Sequence, residues 1–302
     1  MGITTTKATL ILLASLVLVA CSEQPVQPAA DVTASATPTA VTNTSALAPA
    51  FTAEQLLAQP TTGWLTSGGS LYNQRYSPLA SINKSNITQV KAEWQLHLDS
   101  GLGPQHSGQG EPVVHDGVIY HVTGQNDVFA ISVDSGEILW KYQPALDPSG
   151  VVVCCGWAVR GLALGEGLVF IPRLDAHLLA LDQKTGAVVW DVEVAQPAEG
   201  YSITGAPRYF NGRVYSGVAG GEYQTRGSMQ AFDAKTGKEV WSVETIDPKK
   251  PLFISGAPRV FRDKVLIGNG GTEWGAARGY VSAYDVATGK MVWRFYTVPG
   301  NP

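Results

Sequence analysis

An eleven-residue phrase ending in tryptophan occurs four times in this chain, and it restricts the possible folds more than any other feature. It reads Ala130-Ile-Ser-Val-Asp-Ser-Gly-Glu-Ile-Leu-Trp140, then Ala180-Leu-Asp-Gln-Lys-Thr-Gly-Ala-Val-Val-Trp190. It returns as Ala231-Phe-Asp-Ala-Lys-Thr-Gly-Lys-Glu-Val-Trp241 and as Ala283-Tyr-Asp-Val-Ala-Thr-Gly-Lys-Met-Val-Trp293. The tryptophans recur at steps of 50, 51 and 52 residues. A near-constant period of that size marks a β-propeller or a solenoid. Each copy reads as an apolar strand, a tight turn built on Asp-x-x-Thr-Gly or its near equivalent, and a second strand closing on Trp. Gly136, Gly186, Gly237 and Gly289 take the turn position where a positive φ is expected. A tryptophan at a fixed place is a ring large enough to wedge between neighbouring sheets.

Composition agrees with an all-β protein made outside the cytoplasm. Charged residues are 15% of the 302, well below the usual quarter, and there are 33 glycines. The formal net charge of −4 argues against nucleic acid as a partner. The histidines (His97, His106, His115, His121 and His177) show no zinc-ligand spacing and read as ordinary strand or surface residues.

The first 21 residues read as a secretion signal. Lys7 supplies the positive region, Leu10 to Val19 is apolar but short for a membrane span, and Leu18-Val19-Ala20-Cys21 closes it. That closing tetrapeptide resembles a bacterial lipobox, which implies lipidation of Cys21. With Ser22 following, the resemblance implies a periplasmic protein lipid-anchored to the outer membrane. The alternative is an ordinary signal peptide with an incidental cysteine. Residues 22–60 are expected to be a flexible linker, because their Ala, Thr, Pro and Ser leave little apolar surface to bury. Ala53 to Leu57 is expected to form one helical turn, with order beginning near Gly63-Trp64.

A first strand is expected from Ile87 to Leu98, carrying Trp94. Thereafter strands fall into four groups: Val118–Val122, Val128–Ile131 and Glu137–Tyr142; Leu168–Pro172, Leu178–Leu181 and Val188–Val194; Val214–Val218, Ser228–Phe232 and Glu239–Val243; Val265–Ile267, Tyr280–Tyr284 and Met291–Tyr296. The fold class is therefore all-β, a propeller of four-stranded blades with Trp-docking repeats. Four repeats and a lead-in strand do not obviously close a ring, so the sequence is expected to be the N-terminal part of a longer protein. A small propeller of four or five blades is the alternative.

Cys154 and Cys155 are adjacent, and secretion would place them where disulfides persist. A bond between neighbours closes a small strained ring, and such strain gathers at functional sites. Two free thiols are the alternative.

The segment Cys154-Cys155-Gly-Trp-Ala-Val-Arg160-Gly161 resembles the vicinal disulfide segment of quinoprotein alcohol dehydrogenases of the methanol and ethanol dehydrogenase type, which use pyrroloquinoline quinone (PQQ). So do Ser202-Ile-Thr-Gly-Ala-Pro207, Gly268-Asn-Gly-Gly-Thr-Glu273, and the run from Arg278 to Pro302. The family fold is an eight-bladed propeller, so residues 61–302 would be about half of one. The resemblance implies oxidation of an alcohol by hydride transfer to PQQ, with calcium as Lewis acid and a cytochrome or other acceptor as electron partner. Cys154 and Cys155 would form an apolar plate over one quinone face, and Arg160 would pair with PQQ oxygens. Thr204 or Ser255 would donate a hydroxyl to a carboxylate. Gly270, Gly271 and Thr272 would line the cofactor. The family's general-base Asp would lie beyond Pro302, which leaves no catalytic residue here and implies that this stretch is inactive by itself.

Two positions depart from the family pattern. Gly217-Val-Ala-Gly-Gly-Glu222 and Gly268-Asn-Gly-Gly-Thr-Glu273 are two versions of one motif, so Glu222 and Glu273 are alternatives for a single calcium ligand. Gln109 stands where the family carries a PQQ-contacting Glu, and Glu111 is a possible substitute. Two other readings remain: a non-enzymatic outer-membrane propeller lipoprotein acting as an assembly scaffold, and a degraded duplicate of the enzyme.

Overall fold

The computed structural model describes residues 45–247, 249–250, 252–254, 256–270 and 278–300. Four antiparallel sheets of four strands follow one another in sequence order. Blade 1 is Val113–His115, Val118–Val122, Val128–Ser132 and Ile138–Tyr142. Blade 2 is Ala163–Gly165, Leu168–Pro172, His177–Asp182 and Val188–Glu193. Blade 3 is Arg208–Phe210, Arg213–Gly217, Ser228–Asp233 and Glu239–Glu244. Blade 4 is Arg259–Phe261, Lys264–Asn269, Tyr280–Asp285 and Met291–Tyr296. The opening strands of blades 2, 3 and 4 approach one another and form the inner side of the propeller. Among the described residues no helix is long and apolar enough to cross a membrane.

The repeated phrase acts at two levels. Within a blade, its alanine pairs on one side with an aromatic and on the other with the tryptophan: Tyr120, Ala130 and Trp140; Phe170, Ala180 and Trp190; Tyr215, Ala231 and Trp241. The small residue lets the two rings meet above it, at centroid distances of 6.1, 5.8 and 5.9 Å. The register shifts just after the alanine in blades 1, 3 and 4 and just before Ala180's neighbour in blade 2, a recurring bulge that turns the outer strand. Between blades, the first three of these tryptophans donate Nε1–H to a turn carbonyl one repeat further on: Trp140 to Gln183 at 2.9 Å, Trp190 to Ala234 at 3.0 Å, Trp241 to Val286 at 3.2 Å.

The turns themselves are closed by carboxylates. Asp233 Oδ1 accepts from Lys235 N, Thr236 N and Thr236 Oγ1, and Asp182 and Asp285 do the same in their copies. The Thr236 hydroxyl, with help from the backbone donors, holds the Asp233 carboxyl below its ordinary value. In the first copy Ser132 stands in this place and accepts from Ser135 N at 3.2 Å.

The turn glycine answers to two constraints. Gly237 has φ +70°, and a Cβ built there would stand 2.8 Å from the Trp190 ring. Gly237→Ala is therefore expected to destabilise the protein by about 2 kcal/mol, of which roughly 1–2 is the left-handed backbone of an L-residue. Thermal unfolding reads this. Gly117→Ala is the internal control, because it shares a positive φ of 73° but meets nothing within 4 Å. An equal loss at both positions would show that the docked tryptophan adds no constraint.

Two expectations change. Ile87 to Leu98 is not a strand. Ile87–Gln89 is a short 3-10 turn and residues 90–98 carry no ladder. Trp94 nevertheless docks as the others do, donating to Val133 O at 2.8 Å and covering Gly136. The segment thus sits where an outer strand belongs, but no described inner strand lies beside it to supply ladder hydrogen bonds. The packed part of the chain also begins well before residue 61. Ala48, Phe51 and Leu56 are buried, Ala48 N donates to Gln183 Oε1 at 2.6 Å, and Ala53–Leu57 is a helical turn closed by a Thr52/Gln55 capping box. A few well-placed apolar residues anchor a segment whose overall composition reads as linker. Residues 1–44, with Cys21, lie outside the described residues.

Candidate functional site

The loops that lead into the inner strands converge on one cleft. His106–Ser107 pairs in parallel with Trp157–Ala158, and Trp157 N donates to Gln105 O at 2.6 Å. This lays Gln109 beside the Cys154-Cys155-Gly-Trp segment. Gly156 makes the approach possible, since it has φ +94° and a Cβ there would stand 2.8 Å from Gln105 O. Arg160 is clamped from both sides: its carbonyl accepts from Glu111 N at 3.2 Å, and its N–H donates to Thr204 O at 3.1 Å. The Arg160 guanidinium reaches the same Thr204 carbonyl at 3.4 Å. A bridge between Ser202 and Ala219 then brings residues 202–204 alongside the Gly221–Tyr223 turn that carries Glu222.

Gln109, Cys154, Cys155, Arg160, Thr204 and Glu222 all line this cleft. The Cys154 and Cys155 sulfurs face each other as a vicinal pair, with Cα atoms 3.8 Å apart. Both residues are exposed, so the pair presents a flat sulfur surface to the cleft. Cys154 Sγ lies 3.7 Å from Glu222 Oε1. Arg226, the arginine of Glu222's own motif copy, pairs with Glu244 at 3.3 Å, not with Glu222. Ser202 also lines the cleft; its motif was visible in the sequence, but nothing there separated its role from that of Thr204. Gly270 pairs with Phe253 and is not among the residues lining this cleft. Ser255, Gly271, Thr272 and Glu273 lie outside the described residues.

Glu111 does not replace Gln109. Its carboxylate accepts from Trp64 Nε1 and Gly68 N on one oxygen and from Ser67 Oγ and Arg75 NH1 on the other. Both oxygens are committed to the N-terminal segment, away from the cleft. Burial works against its charge, but the donors from Gly68, Ser67, Trp64 and Arg75 outweigh it and leave the carboxyl below its ordinary value. This stabilisation is complete above the ordinary glutamate value of about 4.3 and is lost as pH falls through the lowered value. The Gly68 amide is expected to lose hydrogen-exchange protection in acid before the blade strands do. Unchanged relative protection would count against a carboxylate anchor.

The donor set suits a flat, oxygen-rich anion. A guanidinium, hydroxyls and an amide supply hydrogen-bond donors, an apolar disulfide-type surface supplies a stacking face, and Glu222 supplies a hard oxygen ligand for a cation. The cleft is only about 90 Å³, too small to enclose a tricyclic quinone by itself. It forms one wall of a site.

Four-stranded blades joined by docked tryptophans, with this wall at their inner ends, define a propeller of the quinoprotein class. The comparisons are specific. Residues 64–255 match the PQQ family described as "Glucose/ethanol/alcohol dehydrogenase, beta-propeller domain", and the chain belongs to that family. It is 37% identical over 240 residues to quinohemoprotein alcohol dehydrogenase ADH IIB of Pseudomonas putida, a match covering 79% of this chain and 27% of that protein. It is 37% identical over 241 residues to the dehydrogenase subunit of a quinone alcohol dehydrogenase of Gluconacetobacter polyoxogenes, covering 79% and 26%. Among solved structures, the quinohemoprotein alcohol dehydrogenase of Comamonas testosteroni superposes with TM-score 0.72 at 28% identity, over 82% of this chain and 42% of that one. A europium-containing methanol dehydrogenase gives TM-score 0.71 at 26% identity, over 81% and 50%. The chain thus spans half or less of the length of these relatives. They give the scaffold reading no support.

Proposed function

We propose that this chain provides the disulfide-bearing wall of a PQQ- and calcium-dependent alcohol dehydrogenase that works in the periplasm, held to the outer membrane through a lipid on Cys21. The observation that carries this is the convergence of Cys154, Cys155, Arg160, Thr204 and Glu222 on one cleft. PQQ, when bound, supplies the two-electron acceptor for an alcohol, from which electrons pass to a cytochrome or other acceptor. The rest concerns the chain's own residues. A vicinal disulfide of Cys154 and Cys155 would offer its flat sulfur surface to a ring bound in the cleft. Arg160, fixed by its backbone hydrogen bonds to Glu111 and Thr204, offers its planar fork to a carboxylate or quinone oxygen pair. Thr204 and Ser202 would offer hydroxyls to a carboxylate from the wall of the cleft, and Gln109 would add a neutral hydrogen bond where family members carry charge. Glu222 would be the carboxylate ligand for calcium.

Equilibrium titration of the whole chain with PQQ in the presence of Ca²⁺, read by quenching of cofactor fluorescence, tests this reading. Saturable binding that weakens when Cys154 and Cys155 are reduced supports it. Binding indifferent to Ca²⁺, to reduction and to Arg160→Ala would falsify it.

A further inference from the structure

Arg208 opens the inner strand of blade 3 and is 3% exposed. Its Nε donates to Pro258 O at 3.2 Å, which carries the side chain across to the residue just before Arg259, the start of the inner strand of blade 4. Its NH1 donates to Thr66 Oγ1 and Ser67 O at 3.0 and 2.6 Å. Its NH2 is buried and meets no acceptor, and NH1 of the half-buried Arg259 is in the same position. Two guanidiniums at neighbouring inner strands therefore each keep an unanswered N–H. Such groups are rare, because a buried charge or donor without a partner costs several kcal/mol.

The charge count does not close either. Glu111 is the carboxylate whose field reaches both arginines. It is already paired with Arg75 at 3.1 Å, and four donors occupy its roughly four lone-pair positions. Arg75 balances it, so the charges of Arg208 and Arg259 stay uncompensated. Burial, and then repulsion from Arg259, bring the Arg208 guanidinium down to about 9, which leaves it charged at neutral pH.

We infer that the unpartnered N–H groups of Arg208 and Arg259 form a site for one small oxyanion, of phosphate or carboxylate type, between the inner strands of blades 3 and 4. It is separate from the cleft of Cys154 and Glu222, since neither arginine lines that cleft. Guanidinium forks match the paired oxygens of such an anion, and an anion here supplies the two missing acceptors and part of the missing charge together.

The test is inorganic phosphate added to the whole chain, compared with chloride at matched ionic strength and pH, read by melting temperature and by titration calorimetry. A saturable rise in melting temperature in phosphate alone is expected. Arg259→Gln, at a half-buried position, should weaken phosphate at least about tenfold, as loss of a charge-assisted bond does. Should that variant not fold, Arg259→Lys keeps the charge, removes the fork, and should still weaken phosphate by at least about threefold. Arg262→Gln changes a nearby exposed charge and should leave binding intact. No phosphate effect beyond matched chloride, or equal weakening in the Arg262 variant, overturns the site.

Discussion

Trp190→Ala is expected to remove about 3–5 kcal/mol of stability, and Trp293→Ala, in the same place of the same phrase, only about 1 kcal/mol. The difference comes from what each ring touches. Trp190 is 9% exposed, sits 5.8 Å from Phe170 in its own blade, and reaches into the next blade to cover Gly237 and donate to Ala234 O. Its removal leaves a cavity across two blades and a carbonyl without its donor, both of which add to the lost burial. Trp293 is 40% exposed and caps the outer strand of blade 4, where the described residues offer it no turn glycine to cover. Urea unfolding measures both, as a shift of midpoint at unchanged slope. Equal losses would mean that the tryptophan steadies only its own hairpin, and docking would no longer explain how the blades cohere.

That contrast also shows which parts of the fold a sequence makes visible. The outer three strands of each blade were legible because they are long enough to show an apolar run, end at an Asp-x-x-Thr-Gly turn, and finish on Trp. The inner strands Val113–His115, Ala163–Gly165, Arg208–Phe210 and Arg259–Phe261 have three residues each, too few for a period to appear. Ile87 to Leu98 looks like a strand because its docking tryptophan is present. A ladder, however, needs a neighbour, and strand propensity says nothing about whether one is there.

The site divides in the same way. Cys154, Cys155 and Arg160 lie within seven residues, so their proximity could be read directly. Thr204 and Glu222 join them only through the Arg160–Thr204 and Ser202–Ala219 backbone pairs, which no local pattern announces. Glu111 appeared free to stand in for Gln109 because its partners Trp64, Ser67, Gly68 and Arg75 are more than thirty residues away in sequence. Arg208 ends a Gly-Ala-Pro-Arg run whose first three residues carry the resemblance, so sequence alone does not single it out. Its unanswered NH2 is a property of packing alone.

Glu222 and Glu273 stand in two copies of one glycine-rich motif, Gly-Gly-Glu and Gly-Gly-Thr-Glu, and the role proposed for Glu222 gives an expected result that separates them. Glu222→Gln should weaken calcium-dependent PQQ binding at least about 100-fold, while Glu273→Gln leaves it near that of the parent chain. The magnitude exceeds the 10–100-fold typical of groups that act through a ligand, because Glu222 is proposed as the ligand itself. Its carboxylate stands 3.7 Å from the Cys154 sulfur in the cleft that holds Arg160 and Thr204, so a cation on it would meet a quinone lying on the sulfur plate. A glutamine keeps the size and one acceptor oxygen but loses the charge that a hard divalent cation requires. Titration with PQQ at several Ca²⁺ concentrations reads the effect, and excess Ca²⁺ should partly rescue Glu222→Gln, as expected of a weakened ligand and not of a misfolded chain. The reverse pattern, with Glu273→Gln the crippled variant, would move the calcium to the second motif copy and make the blade 3 copy the relic. Equal loss in both would mean that one cofactor site draws on two adjacent blades.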